Sequence, residues 1–214
     1  APSTVCCHAS AYCPETPERV AHVAAAFFAQ GYRAVKFGWG PFGRDPSLDV
    51  EIVAAARQAV GPEMLMMMDA GRAWDMDTAL ERTQLLAPYD LHWLEEPLHP
   101  EDVAGYARLC ERSPVPIATG EAESRYEDFE RLLIDGLIDW VQPDPGRCGI
   151  STMVEVGRLA HRLNRKVCNH SFKSGITIAA SLHGLAAVPH GEVFEFCMAD
   201  SPLRHDLTHE KFAV

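Results

Sequence analysis

Eight short apolar runs, each separated from the next by a stretch with helical spacing, constrain the fold of this chain more than any other feature. The runs are Val5–His8, Ala34–Phe37, Leu65–Asp69, His92–Glu95, Ile117–Glu121, Trp140–Gln142, Lys166–His170 and Val193–Phe196. Each is short and bounded by polar residues or Gly, the pattern of a strand buried on both faces. Between them the spacing predicts helices over Pro17–Gln30, Leu48–Val60, Asp77–Leu86, Pro100–Cys110, Tyr126–Ile134, Ser151–Leu163 and Ile176–Ala187. The first carries its own boundary signals: Thr16 as N-cap, Pro17 at the first helical position, Glu18 in the first turn and Gly31 as the stop. Eight strands joined by seven crossover helices, with none after the last strand, predict an α/β fold, a TIM-type (β/α)7β barrel. A doubly wound open sheet is the competing architecture, weakened because no G-x-G-x-x-G follows the first strand.

The 214 residues are 47% apolar, enough for a full core, and 23% charged, near the globular average. Nineteen Lys and Arg against 30 Asp and Glu leave a net charge of −11. That balance argues against a nucleic-acid partner, which needs a basic face. It suits a protein that gathers carboxylates round a cation. No apolar run approaches the ~20 residues that cross a bilayer, so no membrane partner is expected. Residues 1–5 lack the basic and apolar regions of a signal peptide. Seven cysteines without a C-x-x-C pair read as reduced core thiols of a cytoplasmic protein.

In a β/α barrel the C-terminal strand ends form the mouth, where active sites sit. Here those ends carry Asp69, Glu95, Glu121, Asp144, His170 and Glu195, at intervals of 26, 26, 23, 26 and 25 residues. One strand-helix unit therefore brings each group to the next position round one rim. Asp69, Glu95 and Glu121 on adjacent strands would repel one another unless a cation lay between them, and hard oxygen donors suit Mg²⁺. Glu96 starts toward the other face and is expected to support its neighbour through a Lys or a backbone group. Asp144 beside His170 would orient the imidazole, fix its tautomer and raise its basicity. Glu195 is placed to hydrogen-bond a developing oxyanion or to donate a proton.

At these positions the sequence closely resembles the enolase superfamily, in its mandelate racemase subgroup. The resemblance rests on Gly-Tyr-Arg-Ala-Val-Lys36, Asp69-Ala-Gly-Arg-Ala-Trp, Trp-Leu-Glu95-Glu96-Pro, Thr-Gly-Glu121, Gln-Pro-Asp144, Asn-His170 and Phe-Glu195, in that order along nearly the whole chain. It implies that Asp69, Glu95 and Glu121 ligate Mg²⁺, that Asp144 and His170 act as base or acid, and that Glu195 contacts the substrate carboxylate. Racemases of the subgroup carry Lys-x-Lys at the end of the second strand; here the stretch is Lys36-Phe37-Gly38. Lys36 would then be a charge partner for the substrate carboxylate, with no second base at Gly38. Family members also carry an N-terminal capping domain that selects the substrate. Residues 1–214 are accordingly expected to be the catalytic barrel alone, with the capping domain outside this chain and a homo-oligomer in the full-length enzyme.

The chemistry this implies is removal of the proton α to a carboxylate, stabilised by Mg²⁺. One good base favours β-elimination of water from an acid-sugar substrate, giving a 2-keto-3-deoxy acid. The alternatives are a racemase or epimerase, a cycloisomerase, and an inactive barrel used for binding or assembly. Trp39, Phe42 and Arg44 after the second strand are candidates for lining the pocket.

Overall fold

A computed structural model describes residues 6–172, 174–189, 191–209 and 212; Val5, which the sequence reading includes in the first strand, lies outside them. The strands are β1 (Cys6–Tyr12), β2 (Ala34–Gly38), β3 (Leu65–Asp69), β4 (Trp93–Glu95), β5 (Ile117–Thr119), β6 (Trp140–Val141), β7 (Lys166–Cys168) and β8 (Gly191–Cys197). All pair in parallel with their sequence neighbours, and β1 closes the ring on β8. The barrel is therefore complete, and the open-sheet alternative is excluded.

Among the described residues seven helices surround it: α1 (Pro17–Ala29), α2 (Pro46–Val60), α3 (Met76–Leu86), α4 (Val103–Arg112), α5 (Tyr126–Ile134), α6 (Pro145–Arg162) and α7 (Gly175–Ala186). Capping explains the boundaries that differ from expectation. Helix α4 starts at Val103 because the Asp102 side chain accepts from the Gly105 N–H at 2.9 Å. Helix α6 starts at Pro145, capped by Asp144, and is interrupted at Gly149, whose φ is 79°. One turn of helix, α8 (Pro202–His205), follows β8 where the sequence pattern predicts none. It buries no residue, so it leaves no apolar periodicity to read.

Period-two alternation sorts the strand side chains. Val35, Phe37, Met66, Met68, Leu94, Ile117, Val141, Val167, Phe194 and Phe196 face the helices. Ala34, Met67, Trp93, Ala118, Trp140, Cys168 and Val193 fill the barrel interior, where the Trp93 and Trp140 ring centroids lie 4.7 Å apart. Two residues further along the same strands stand Lys36, Asp69, Glu95, Gln142 and Glu195, all buried. An apolar plug thus underlies a charged layer that opens on the mouth. Among the described residues no helix is long and apolar enough to cross a membrane.

The loop between β2 and α2 is braced from below. The buried Asp49 carboxylate accepts from the Gly43 N–H at 2.7 Å and from Arg82 Nε at 3.1 Å, and Trp74 Nε1 donates to the Gly43 carbonyl at 2.7 Å. Removing one partner leaves a buried guanidinium uncompensated. Asp49→Ala should cost about 3–5 kcal/mol of unfolding free energy, read from urea denaturation. A loss below about 1 kcal/mol would mean that this brace does not hold the loop.

Candidate active site

The charged layer is organised by Lys36. Its ammonium donates to Glu95 Oε1 and lies 2.7 Å from Glu195 Oε1. Burial alone would depress its pKa, but Glu195, Glu95 and Asp69 outweigh that and hold the ammonium well above its ordinary range. In this arrangement Lys36 is held as an ammonium by its carboxylate partners. Glu95 Oε2 also accepts from Trp93 Nε1 at 3.0 Å and from Gln142 Nε2 at 2.6 Å. Glu195 accepts from Ser10 Oγ at 2.8 Å and from the Ser171 N–H at 2.7 Å. Burial would raise its pKa, yet Lys36, His170 and His8 hold it well below the usual carboxylate range. A carboxylate so held is a poor proton donor, which weighs against that one of the two roles considered for Glu195.

Across the cavity, His170 Nδ1 lies 3.0 Å from Asp144 Oδ2, and Nε2 lies 3.2 Å from Glu121 Oε2. Asp144 is doubly fixed, because its other oxygen accepts from the Gly146 N–H at 2.7 Å as the cap of α6. Burial works against the imidazolium, but Glu195, the Asp144 hydrogen bond and Glu121 raise the His170 pKa to about 9.

Asp69 and Glu95 are register partners on β3 and β4, and Glu121 follows β5. Each is engaged by a separate donor: Asp69 Oδ2 accepts from Trp39 Nε1 at 3.1 Å, Glu95 is bonded to Lys36, and Glu121 lies 3.4 Å from Arg72 Nη2. In this arrangement no three Asp, Glu, His or Cys among the described residues enclose a metal position. The donor set nonetheless fits a hard divalent cation. Burial raises Asp69 well above the carboxylate range, and Glu95, Glu121 and Glu96 raise it further. Burial raises Glu121 as well, with Glu95 adding to the effect. Glu96 is held by Arg72, not by a Lys or the backbone: Nε and Nη2 reach its two oxygens at 2.8 and 3.0 Å.

Ser10, Tyr12, Lys36, Gly38, Trp39, Asp69, Glu121, His170, Phe172 and Glu195 line a cavity of about 190 Å³ at the mouth. Trp39 reaches it; Phe42 is buried against Trp74, and Arg44 does not line it. Sequence reasoning missed the contribution of β1. The strand runs to Tyr12, and the polar positions His8, Ser10 and Tyr12, alternating with Ala9 and Ala11, were the available signal. Gln142 closes the sixth run but is uncharged and was passed over, and Arg72 left no such signal, since it closes no strand in the pattern.

If the three carboxylates share a cation, Mg²⁺ should raise the thermal midpoint of this protein, and a chelator should reverse the rise. Asp69→Asn should abolish the response while its stability without Mg²⁺ stays near or above that of the unmodified protein, because a repelling charge is gone. An undiminished response in Asp69→Asn would remove Asp69 from the ligand set.

Comparison with known proteins places the chain among similar sequences and folds. The chain is 35% identical over 170 residues to the 3,6-anhydro-alpha-L-galactonate cycloisomerase of Streptomyces coelicolor, covering 79% of this chain and 45% of that protein. It is 35% identical over 142 residues to the L-talarate/galactarate dehydratase of Salmonella typhimurium, covering 66% of this chain and 34% of that one. A racemase from Streptomyces coelicolor A3(2), solved with bound magnesium, superposes with a TM-score of 0.81 at 31% identity, over 90% of this chain and 52% of the other. The chain spans about half the length of the curated relatives it matches. The enolase C-terminal domain-like model matches residues 18–214, and the chain belongs to that family, in the mandelate racemase branch of the enolase superfamily.

Proposed function

We propose that this barrel abstracts the proton α to the carboxylate of a sugar acid and expels the β-oxygen. The observation that carries the reading is a single imidazole held in place as base or acid. Among the described residues lining the cavity, His170 is the one imidazole, Asp144 holds its Nδ1, and Lys36 is kept charged. The place of a second base is Gly38, and a Cβ there would lie 2.5 Å from Asp69 Cβ. Position 38 therefore carries no side chain unless Asp69 moves, which disfavours a racemase with bases on both faces of the α-carbon.

Asp69, Glu95 and Glu121 are the residues that would hold Mg²⁺, which supplies Lewis-acid stabilisation of the charge developing on the substrate carboxylate. Lys36 adds a fixed positive charge on the same side. His170 takes the α-proton or delivers one to the departing oxygen. Glu195 holds Lys36 and, with Asp144 and Glu121, supports the imidazolium that proton uptake creates. We read residues 1–214 as the barrel part of an enzyme whose capping domain closes this mouth, a reading supported by the greater length of the relatives.

When the β-oxygen is a free hydroxyl, water leaves and a 2-keto-3-deoxy acid forms. When the same oxygen belongs to a lactone or anhydro ring, the elimination opens the ring without loss of mass. That second reading, cycloisomerisation, is supported by the cycloisomerase names of two relatives, as dehydration is by the dehydratase.

The full polypeptide carrying this barrel, with Mg²⁺, is to be screened against sugar acids and their lactones in D₂O by NMR and mass spectrometry. Dehydration predicts a keto acid one water lighter, with one deuterium at C3; ring opening predicts the deuterated keto acid at unchanged composition. Recovery of both α-epimers deuterated at C2, without keto acid, would overturn single-base elimination. In the same assay His170→Asn should lower turnover by about 10²–10⁴-fold while Mg²⁺ affinity, measured by calorimetry, stays close to that of the unmodified protein. An active His170→Asn enzyme would refute its role as base or acid.

A further inference from the structure

Trp39 stands just beyond β2 with φ of 64°, a left-handed conformation rare for a bulky side chain. Burial does not account for it: Trp39 is 53% exposed, whereas Trp74, Trp93 and Trp140 are all below 9%. The indole is nevertheless fixed. Its Nε1 donates to Asp69 Oδ2 at 3.1 Å, and its ring packs along the backbone of Gly71, where a Cβ would lie 3.6 Å from it. The loop behind it is braced through Gly43 by Asp49 and Trp74. A strained, half-exposed and rigidly held aromatic ring at a pocket edge is the mark of a residue kept for a ligand.

Its position identifies the ligand's face. In the closed ring β2 and β7 are separated by β1 and β8, so Trp39 and His170 line the cavity from different sides. The side without a second base, at Gly38, is covered by the neighbouring indole. A sugar acid offers a flat row of C–H groups as well as its hydroxyls, and an indole face with a polar N–H at its edge matches that mixture.

Building on the acid-sugar reading above, we propose that Trp39 is a specificity-determining residue, whose indole packs on the C–H face of the substrate and holds the α-carbon toward His170. It acts by binding and orienting, not by moving a proton.

The test uses the Mg²⁺-loaded full polypeptide with Trp39→Phe and Trp39→Gly. Glycine adopts the left-handed conformation freely, so loss of binding in that variant cannot be ascribed to backbone strain, and an unchanged thermal midpoint shows that it folds. In the unmodified protein, sugar acids from a panel of hexonic and hexaric acids and their lactones should shift tryptophan emission to the blue, since Trp39 is the exposed indole. Trp39→Gly should raise KM by about tenfold or more with a smaller change in kcat, and Trp39→Phe should recover most of the affinity. Unchanged KM in Trp39→Gly overturns the proposal. So does a fall in Mg²⁺ affinity, measured by calorimetry without sugar acid, at unchanged KM, because the indole would then serve to hold Asp69. If the unmodified protein binds Mg²⁺ but none of the panel, the acid-sugar reading fails and this inference fails with it; panel binding with an indifferent Trp39 sinks the inference alone.

Discussion

An ammonium group buried inside a barrel needs negative charge close by, and Lys36 meets that need through Glu95 and Glu195. Those three residues come from β2, β4 and β8, so their mutual attraction ties together strands far apart in the chain. Trp93 and Gln142 then satisfy the second oxygen of Glu95, and Ser10 and the Ser171 N–H satisfy Glu195. The polar layer is fixed because few of its lone pairs are left without a donor, and the apolar plug of Trp93, Trp140 and Met67 beneath it keeps water from competing.

The same layer is unbalanced on its other side. Asp69, Glu96 and Glu121 are all raised by burial and by nearby carboxylates, and Arg72 offsets part of that by gripping Glu96 and approaching Glu121. Glu96 reaches a pKa of about 7 despite this grip. Positive charge is therefore supplied to each carboxylate separately, by Lys36, Arg72 and His170, and the indole N–H of Trp39 serves Asp69. In the function proposed, rotation of a few side chains on short strand ends would let Asp69, Glu95 and Glu121 share one divalent ion instead; a similar barrel has been solved with bound magnesium. Both arrangements obey one rule, that like charges in a shielded site require a counter-charge.

A lone base opposite a glycine links this electrostatic frame to the chemistry proposed. His170 owes its orientation to Asp144, and Asp144 owes its own to the first turn of α6, whose Gly146 N–H it caps. Gly38 is small because Asp69 fills the space a side chain would take. On the chemistry proposed, selection between a leaving hydroxyl and a ring oxygen would lie with what holds the substrate, not with the base; relatives named as cycloisomerase and as dehydratase both match this chain.

Much of this was legible in the chain before folding. Strand number, parallel order and the identity of Asp69, Glu95, Glu121, Asp144 and His170 follow from apolar runs ending in charged groups at intervals of 23 to 26 residues, since such a period is one strand-helix unit. The α8 turn and the early start of α6 escaped the apolar pattern, because Ser201-Pro202 and Asp144-Pro145 mark helix starts by capping and not by apolar periodicity. The partners of each charge were not legible. Arg72 on Glu96, Gln142 on Glu95, Ser10 on Glu195 and Trp39 on Asp69 join residues between 24 and 185 positions apart. Local patterning sets which face of a strand is apolar, and so sequence alone determined the barrel and the rim. Only closure of the ring decided which buried charge meets which donor, because that depends on distances across the barrel that no local pattern encodes.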